Sequence, residues 1–115
     1  MCAADTANVR VECRVGGADL NPYLALASQL AAGLYGIEQQ TPLEASFVGD
    51  AYGGEGRQIP STLRDAARAL DESAMLREAL GDDVVDHYVH AARYEQFEYD
   101  RRVTDWEIFR GFERA

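Results

Sequence analysis

Near the start of this 115-residue chain, Arg10, Glu12 and Arg14 alternate strictly with Val11, Cys13 and Val15. Successive side chains of a β-strand point to opposite faces, so the pattern predicts a strand over 10–15 with two guanidinium groups flanking one carboxylate. Arg offers a fixed fork of donors to phosphate or carboxylate, and such a face suits a site for anionic substrate groups and a divalent metal. The same three residues also suit a half-exposed strand whose charged face is merely solvated. What surrounds the strand decides between the two.

Other residues with chemical potential are fewer. His87 and His90 lie three apart, with Asp83 one helical turn before His87, but two helical histidines without a third convergent ligand read as surface residues. Cys13 falls on the apolar side of the strand and is expected to be a buried, inert thiol, while Cys2 lies near the terminus. Two cysteines do not make a disulfide scaffold.

These residues need elements to hold them. After the strand, Gly16-Gly17-Ala18-Asp19-Leu20-Asn21-Pro22 forms a turn, with Asn21 as N-cap and Pro22 at the first helical position. The following helix carries Leu24, Ala27, Leu30, Ala31, Leu34 and Ile37 at three- and four-residue spacing, and no charged residue occurs from Tyr23 to Ile37. That predicts a helix buried over much of its surface. Residues from about 39 to 60, with glycines at 49, 53, 54 and 56 and prolines at 42 and 60, read as a long irregular connection.

Beyond it, Ser61 or Thr62 caps a short helix with Leu63, Ala66, Ala67 and Leu70 on one face. Ser73 opens a second one, which Gly81 ends. A longer helix from about Asp82 to Arg101 presents Val85, Tyr88, Val89, Ala92, Gln96 and Tyr99 as its inner stripe. Thr104 begins a closing helical turn or two, whose Trp106, Ile108, Phe109 and Phe112 need a surface to cover. The expected fold class is α+β but mainly α: one N-terminal strand followed by about five helices. A lone strand cannot satisfy its own backbone.

Composition narrows the function classes. Eleven basic residues, all arginine, stand against 20 acidic ones, for a net charge of −9. A field of that sign repels nucleic-acid backbones and anionic membrane surfaces, so neither is an expected partner. Hydrophobic residues at 47% and charged residues at 27% are an ordinary globular balance, and the length allows at most one domain. No secretory n-region or membrane-length apolar run occurs, which makes the cytoplasm the default compartment.

Taken together, the segment Arg10-Val11-Glu12-Cys13-Arg14-Val15-Gly16-Gly17-Ala18-Asp19-Leu20-Asn21-Pro22-Tyr23-Leu24-Ala25-Leu26-Ala27 resembles the C-terminal part of the catalytic domain of the glutamine synthetase family. The likeness continues through Gly33-Leu34-Tyr35-Gly36-Ile37, Gly49-Asp50-Ala51-Tyr52, Ile59-Pro60-Ser61-Thr62-Leu63 and Thr104-Asp105-Trp106-Glu107. The loop at 49–52 and the ending around Trp106 look closer to the branch that includes γ-glutamyl ligases acting on amines. The resemblance implies ATP-dependent amide formation, in which the glutamate γ-carboxylate is phosphorylated and ammonia or an amine displaces phosphate.

By position in the motif, Glu12 matches a metal-ligating glutamate, a hard donor for Mg²⁺ or Mn²⁺. Arg10 matches an arginine that approaches the ATP phosphates, and Arg14 one that holds glutamate or γ-glutamyl phosphate. The resemblance further implies that residues 1–115 are the C-terminal portion of such a domain, without the family's N-terminal domain and most of its active site. On that expectation the chain is inactive alone and needs the missing part or partner subunits. A second reading is a non-catalytic helical interaction module that assembles with a full-length relative.

Overall fold

Asn21 and Pro22 start the first helix where their types require. In the computed structural model, which describes residues 12–45, 48–49, 58–112 and 114, helix α1 spans Pro22–Glu38. The Asn21 side-chain oxygen accepts hydrogen bonds from the backbone N–H groups of Tyr23 at 3.0 Å and Leu24 at 3.2 Å, satisfying two of the orphan donors of the first turn. The other end closes in a Schellman motif. Thr41 N–H donates to the Gly36 carbonyl at 2.9 Å and Gln40 N–H to the Ile37 carbonyl at 3.2 Å, with Gln40 at φ 50° in the left-handed region where glycine is usual.

The chain divides into two units, Met1–Val48 and Gly49–Ala115. The first contains α1. Contrary to expectation, no residue of α1 is buried, and Leu26, Leu30, Leu34 and Ile37 are all exposed. Among the described residues of that unit there is no second element on which these apolar side chains could pack.

The expected α+β class is overturned: among the described residues every regular element is a helix, and none is a strand. Residues 12–20 run irregularly apart from a turn in which Leu20 N–H reaches the Gly17 carbonyl at 3.4 Å, while Arg10 and Val11 lie outside the described residues. Alternation supplies the side-chain pattern of a strand but not its partner. An extended segment becomes a strand only when a neighbour takes its N–H and C=O groups. Cys13 and Val15, expected to face a core, are exposed for the same reason.

The second unit contains four helices: α2 (Leu63–Asp71), α3 (Ala74–Leu80), α4 (Asp82–Asp100) and α5 (Asp105–Phe112). Thr62, rather than Ser61, caps α2, its hydroxyl accepting from Asp65 N–H at 3.1 Å; Ser73 caps α3 through Leu76 N–H at 3.3 Å. Gly81 serves two helices. Its N–H bonds the Arg77 carbonyl to close α3 at 2.9 Å, and its own carbonyl takes Val85 N–H at 3.2 Å to open α4. The required backbone, φ 86° and ψ 150°, lies in a region that side chains rarely tolerate.

Helices α2 and α3 both pack on α4, and the buried residues, Ala67 of α2 with Val85 and Val89 of α4, sit where they meet. Each valine side chain so buried contributes roughly 1.5–3 kcal/mol. The expected inner stripe of α4 continues half-buried through Ala92 and Gln96 and ends there, since Tyr99 is exposed. Helix α5 begins with a capping box: the Glu107 carboxylate accepts from Thr104 N–H at 2.8 Å and from its hydroxyl at 2.9 Å, and Thr104 Oγ1 accepts from Glu107 N–H at 3.3 Å. Its Trp106, Phe109 and Phe112 are exposed rather than clamped on a core, with the Arg110 guanidinium over the Trp106 ring at 5.0 Å. No helix among the described residues is long and apolar enough to cross a membrane.

Candidate functional site

Glu12 and Arg14, two residues apart in a segment without regular structure, meet through their side chains. Arg14 Nε donates to Glu12 Oε1 at 2.7 Å. Both side chains are open to solvent, 83% for Arg14 and 53% for Glu12, so each keeps donor or acceptor capacity for a ligand. The turn through Gly17 and Leu20, followed by the Asn21 cap, connects this pair to the start of α1. Arg10, the third member of the charged face, lies outside the described residues.

A divalent cation of the Mg²⁺ or Mn²⁺ type needs about six oxygen donors. Glu12 offers one carboxylate, one oxygen of which already accepts a hydrogen bond from Arg14 Nε–H. Among the described residues no three His, Cys, Asp or Glu side chains converge on a common point. These residues therefore do not fit a metal centre by themselves. His87 and His90 are both exposed, and the His87 ring stands edge-on to Tyr88 with centroids 5.3 Å apart.

Open grooves flank the helices among the described residues. In the first unit, the last turns of α1 and the returning segment 40–44 enclose about 640 Å³, floored by Ala32, Gly33 and Gly36 and walled by Ile37 and Leu43. In the second, Thr62, Arg64, Glu95, Tyr99 and Asp100 line about 700 Å³ between α2 and α4. Its central charges satisfy one another: Arg64 pairs with Asp100 at 2.8 Å, and Gln96 also donates to Asp100 at 2.8 Å.

Sequence reasoning missed the ionic hub of the second unit. Arg77, on α3, binds the Asp71 carboxylate, the Asp71 backbone carbonyl at 2.7 Å, Asp82 at 2.8 Å and Asp86 at 2.9 Å; Arg93 takes the other Asp71 oxygen at 2.6 Å. Hydrogen bonds from Arg77 and then Arg93 hold the Asp71 carboxyl below its ordinary range, and Asp82, Asp86 and Asp71 push the Arg77 guanidinium up. The available signal was one cation set among Asp71, Asp82, Asp83 and Asp86. Its members lie up to 22 residues apart, as Asp71 and Arg93 do, beyond any local spacing rule.

Comparison with known proteins adds to the geometry. The glutamine synthetase catalytic-domain profile matches residues 1–110. Over 107 residues the chain is 47% identical to the γ-glutamylethanolamide synthetase of Streptomyces coelicolor, covering 93% of this chain and 23% of that protein. It is 36% identical to the glutamate–isopropylamine ligase of a Pseudomonas species, over 88% of this chain and 23% of the relative. Against the glutamine synthetase of Thermus thermophilus the identity is 37%, over 88% of this chain and 24% of that enzyme. The chain thus spans about a quarter of the length of these relatives.

Proposed function

Since the chain belongs to the glutamine synthetase family, on the side of its γ-glutamyl-amine ligase branch, we propose that residues 1–115 form the C-terminal portion of the catalytic domain of an ATP-dependent glutamate–ammonia or glutamate–amine ligase. The similarity to the Streptomyces coelicolor enzyme over 93% of the chain carries this reading. In the proposed reaction the glutamate γ-carboxylate attacks the terminal phosphorus of ATP and ADP leaves. Ammonia or a primary amine then attacks the acyl carbon, loses a proton and expels phosphate, giving glutamine or a γ-glutamyl amide.

Within it Arg14 holds the glutamate or γ-glutamyl phosphate, where a bidentate guanidinium meets the negative charge that spreads over the transferred group. Arg10 approaches the ATP phosphates. Glu12 supplies one carboxylate donor toward a divalent cation, Mg²⁺ or Mn²⁺, and the remaining donors come from outside the described residues. The Glu12–Arg14 contact supports the assignment, because it keeps both groups on one side of the chain and accessible. The cytoplasm is the compartment proposed with this reaction, since it supplies both ATP and glutamate.

A chimera tests the reading: this chain replaces the aligned region of the Streptomyces coelicolor enzyme, and phosphate release with glutamate, ATP, Mg²⁺ and a primary amine is measured. Turnover by the chimera is expected, together with no hydroxamate formation by the 115-residue product alone. A folded, assembled chimera without turnover overturns the ligase reading. It would favour the second one, a non-catalytic interaction module, for which the exposed apolar surface of α1 speaks.

A further inference from the structure

Helical spacing puts Arg64 and Arg68 on one face of α2, and on α4 it puts Arg93 and Phe97 together, again four residues apart. Where α2 packs on α4, these four residues line a groove of about 380 Å³ whose floor includes the small side chains of Ala67 and Ala92. Its one acidic lining residue is Asp100. Three guanidinium groups thus meet a single carboxylate. The neighbouring groove of about 700 Å³ shares Arg64 and Asp100 but adds Asp65 and Glu95, so the two grooves carry opposite charge. In a chain of net charge −9, three of the 11 basic residues gather in the smaller one.

The guanidinium groups keep most of their donors. Arg64 bonds Asp100 at 2.8 Å, Arg68 bonds Asp65 at 2.8 Å and Arg93 bonds Asp71 at 2.6 Å, each through one terminal nitrogen of a group with five N–H donors. All three side chains are open to solvent. A carboxylate has two oxygens, which one guanidinium fork engages, whereas a phosphate monoester has three terminal oxygens and close to two charges, enough for forks from more than one arginine. Ala67, 6% exposed, and the Phe97 ring give the organic remainder of such a ligand an apolar wall. We propose that this groove binds a small phosphate monoester whose body carries an apolar ring. The proposal does not rest on the ligase reading, since Arg10, Glu12 and Arg14 take no part in it and the whole groove belongs to the second unit.

Phenyl phosphate is the probe, titrated into the full 115-residue chain while the arginine Nε–H resonances are followed by NMR. Saturable shifts at Arg64, Arg68 and Arg93 are expected, with a dissociation constant of about 1 mM or tighter. The Arg102 resonance, outside the groove, should stay in place. Arg64→Gln and Arg68→Gln should each weaken binding about tenfold, the scale of one charge-assisted hydrogen bond, with helical circular dichroism unchanged. Arg102→Gln should leave binding unaltered. Inorganic phosphate should bind more weakly than the ester, and so should phthalate, which puts two carboxylates on the same ring. Absence of saturation overturns the proposal, as does binding that survives the two groove substitutions combined. Tighter binding of phthalate overturns the choice of phosphate, and equal affinity for inorganic phosphate overturns the part given to the apolar wall.

Discussion

Arg77 grips Asp71 twice, through the carboxylate and through the backbone carbonyl at the C-terminal end of α2, where Nε lies 2.7 Å from the oxygen. The second contact satisfies a carbonyl that the helix leaves without an intrahelical partner, and a cation there also complements the helix dipole. From the same guanidinium, bonds reach Asp82 and Asp86 in the first turns of α4. One side chain therefore ties the end of α2 to the beginning of α4 across the seven-residue α3.

Replacing Arg77 with alanine leaves Asp82 and Asp86 without that cation and Asp71 with Arg93 alone. The variant is expected to melt at a lower temperature than the wild type by circular dichroism. The gap should narrow in 1 M NaCl, because salt screens both the lost attraction and the remaining repulsion. An Arg77→Ala chain that melts with the wild type at low salt would remove the hub from any role in stability.

Acid should loosen the second unit. Asp71 is held below its ordinary value of 3.8 by Arg77 and Arg93, and Glu107 below 4.5 by the Thr104 backbone N–H and hydroxyl. For a carboxyl lowered in the folded state, the stabilisation is complete above the unfolded value and is lost as pH falls through the folded one. Melting temperatures should therefore hold until about pH 4.5 and fall below it. The Arg77→Ala variant should lose less over the same interval, and an equal loss in both would argue against the Arg77–Asp71 bond as the cause.

Gly81→Ala is expected to destabilise the α2–α3–α4 unit by about 1–3 kcal/mol, measured by urea unfolding, because φ 86° with ψ 150° strains any residue with a Cβ. Nothing lies within 4 Å of the added atom, so the loss is one of backbone strain rather than collision. A neutral Gly81→Ala would mean that α3 and α4 join through a different backbone.

In the active chimera, Arg14→Ala should lower kcat by at least about 100-fold, the scale for removing one donor that stabilises developing charge. Arg14→Lys should recover only part of it, since an ammonium keeps the charge but not the planar fork. Full activity in Arg14→Ala would place the substrate anion elsewhere.

The helix boundaries were legible in single residues. Asn21-Pro22, Ser73, Gly81 and the Thr104/Glu107 pair each act through bonds that span four residues or fewer, so the types alone state where a helix starts or stops. Only the choice between Ser61 and Thr62 was left open, and the bond from Asp65 N–H decides it. The expected strand fails on the opposite ground. Its side-chain alternation is local, but its backbone bonds are not, and the described residues hold no second strand to provide them.

The candidate site divides in the same way. Glu12 and Arg14 are two residues apart, and their ion pair forms within that short stretch of chain without a sheet. Whether Cys13, Val15, Leu26, Leu30 and Leu34 are covered depends on surfaces distant in sequence, and here the tertiary structure leaves them exposed. Tertiary structure alone also assembled the Arg77 hub, because Asp71, Asp86 and Arg93 meet only after α2 and α3 fold back on α4. Local bonds are written in neighbouring residues; burial and long-range ion pairs exist only once the elements have packed.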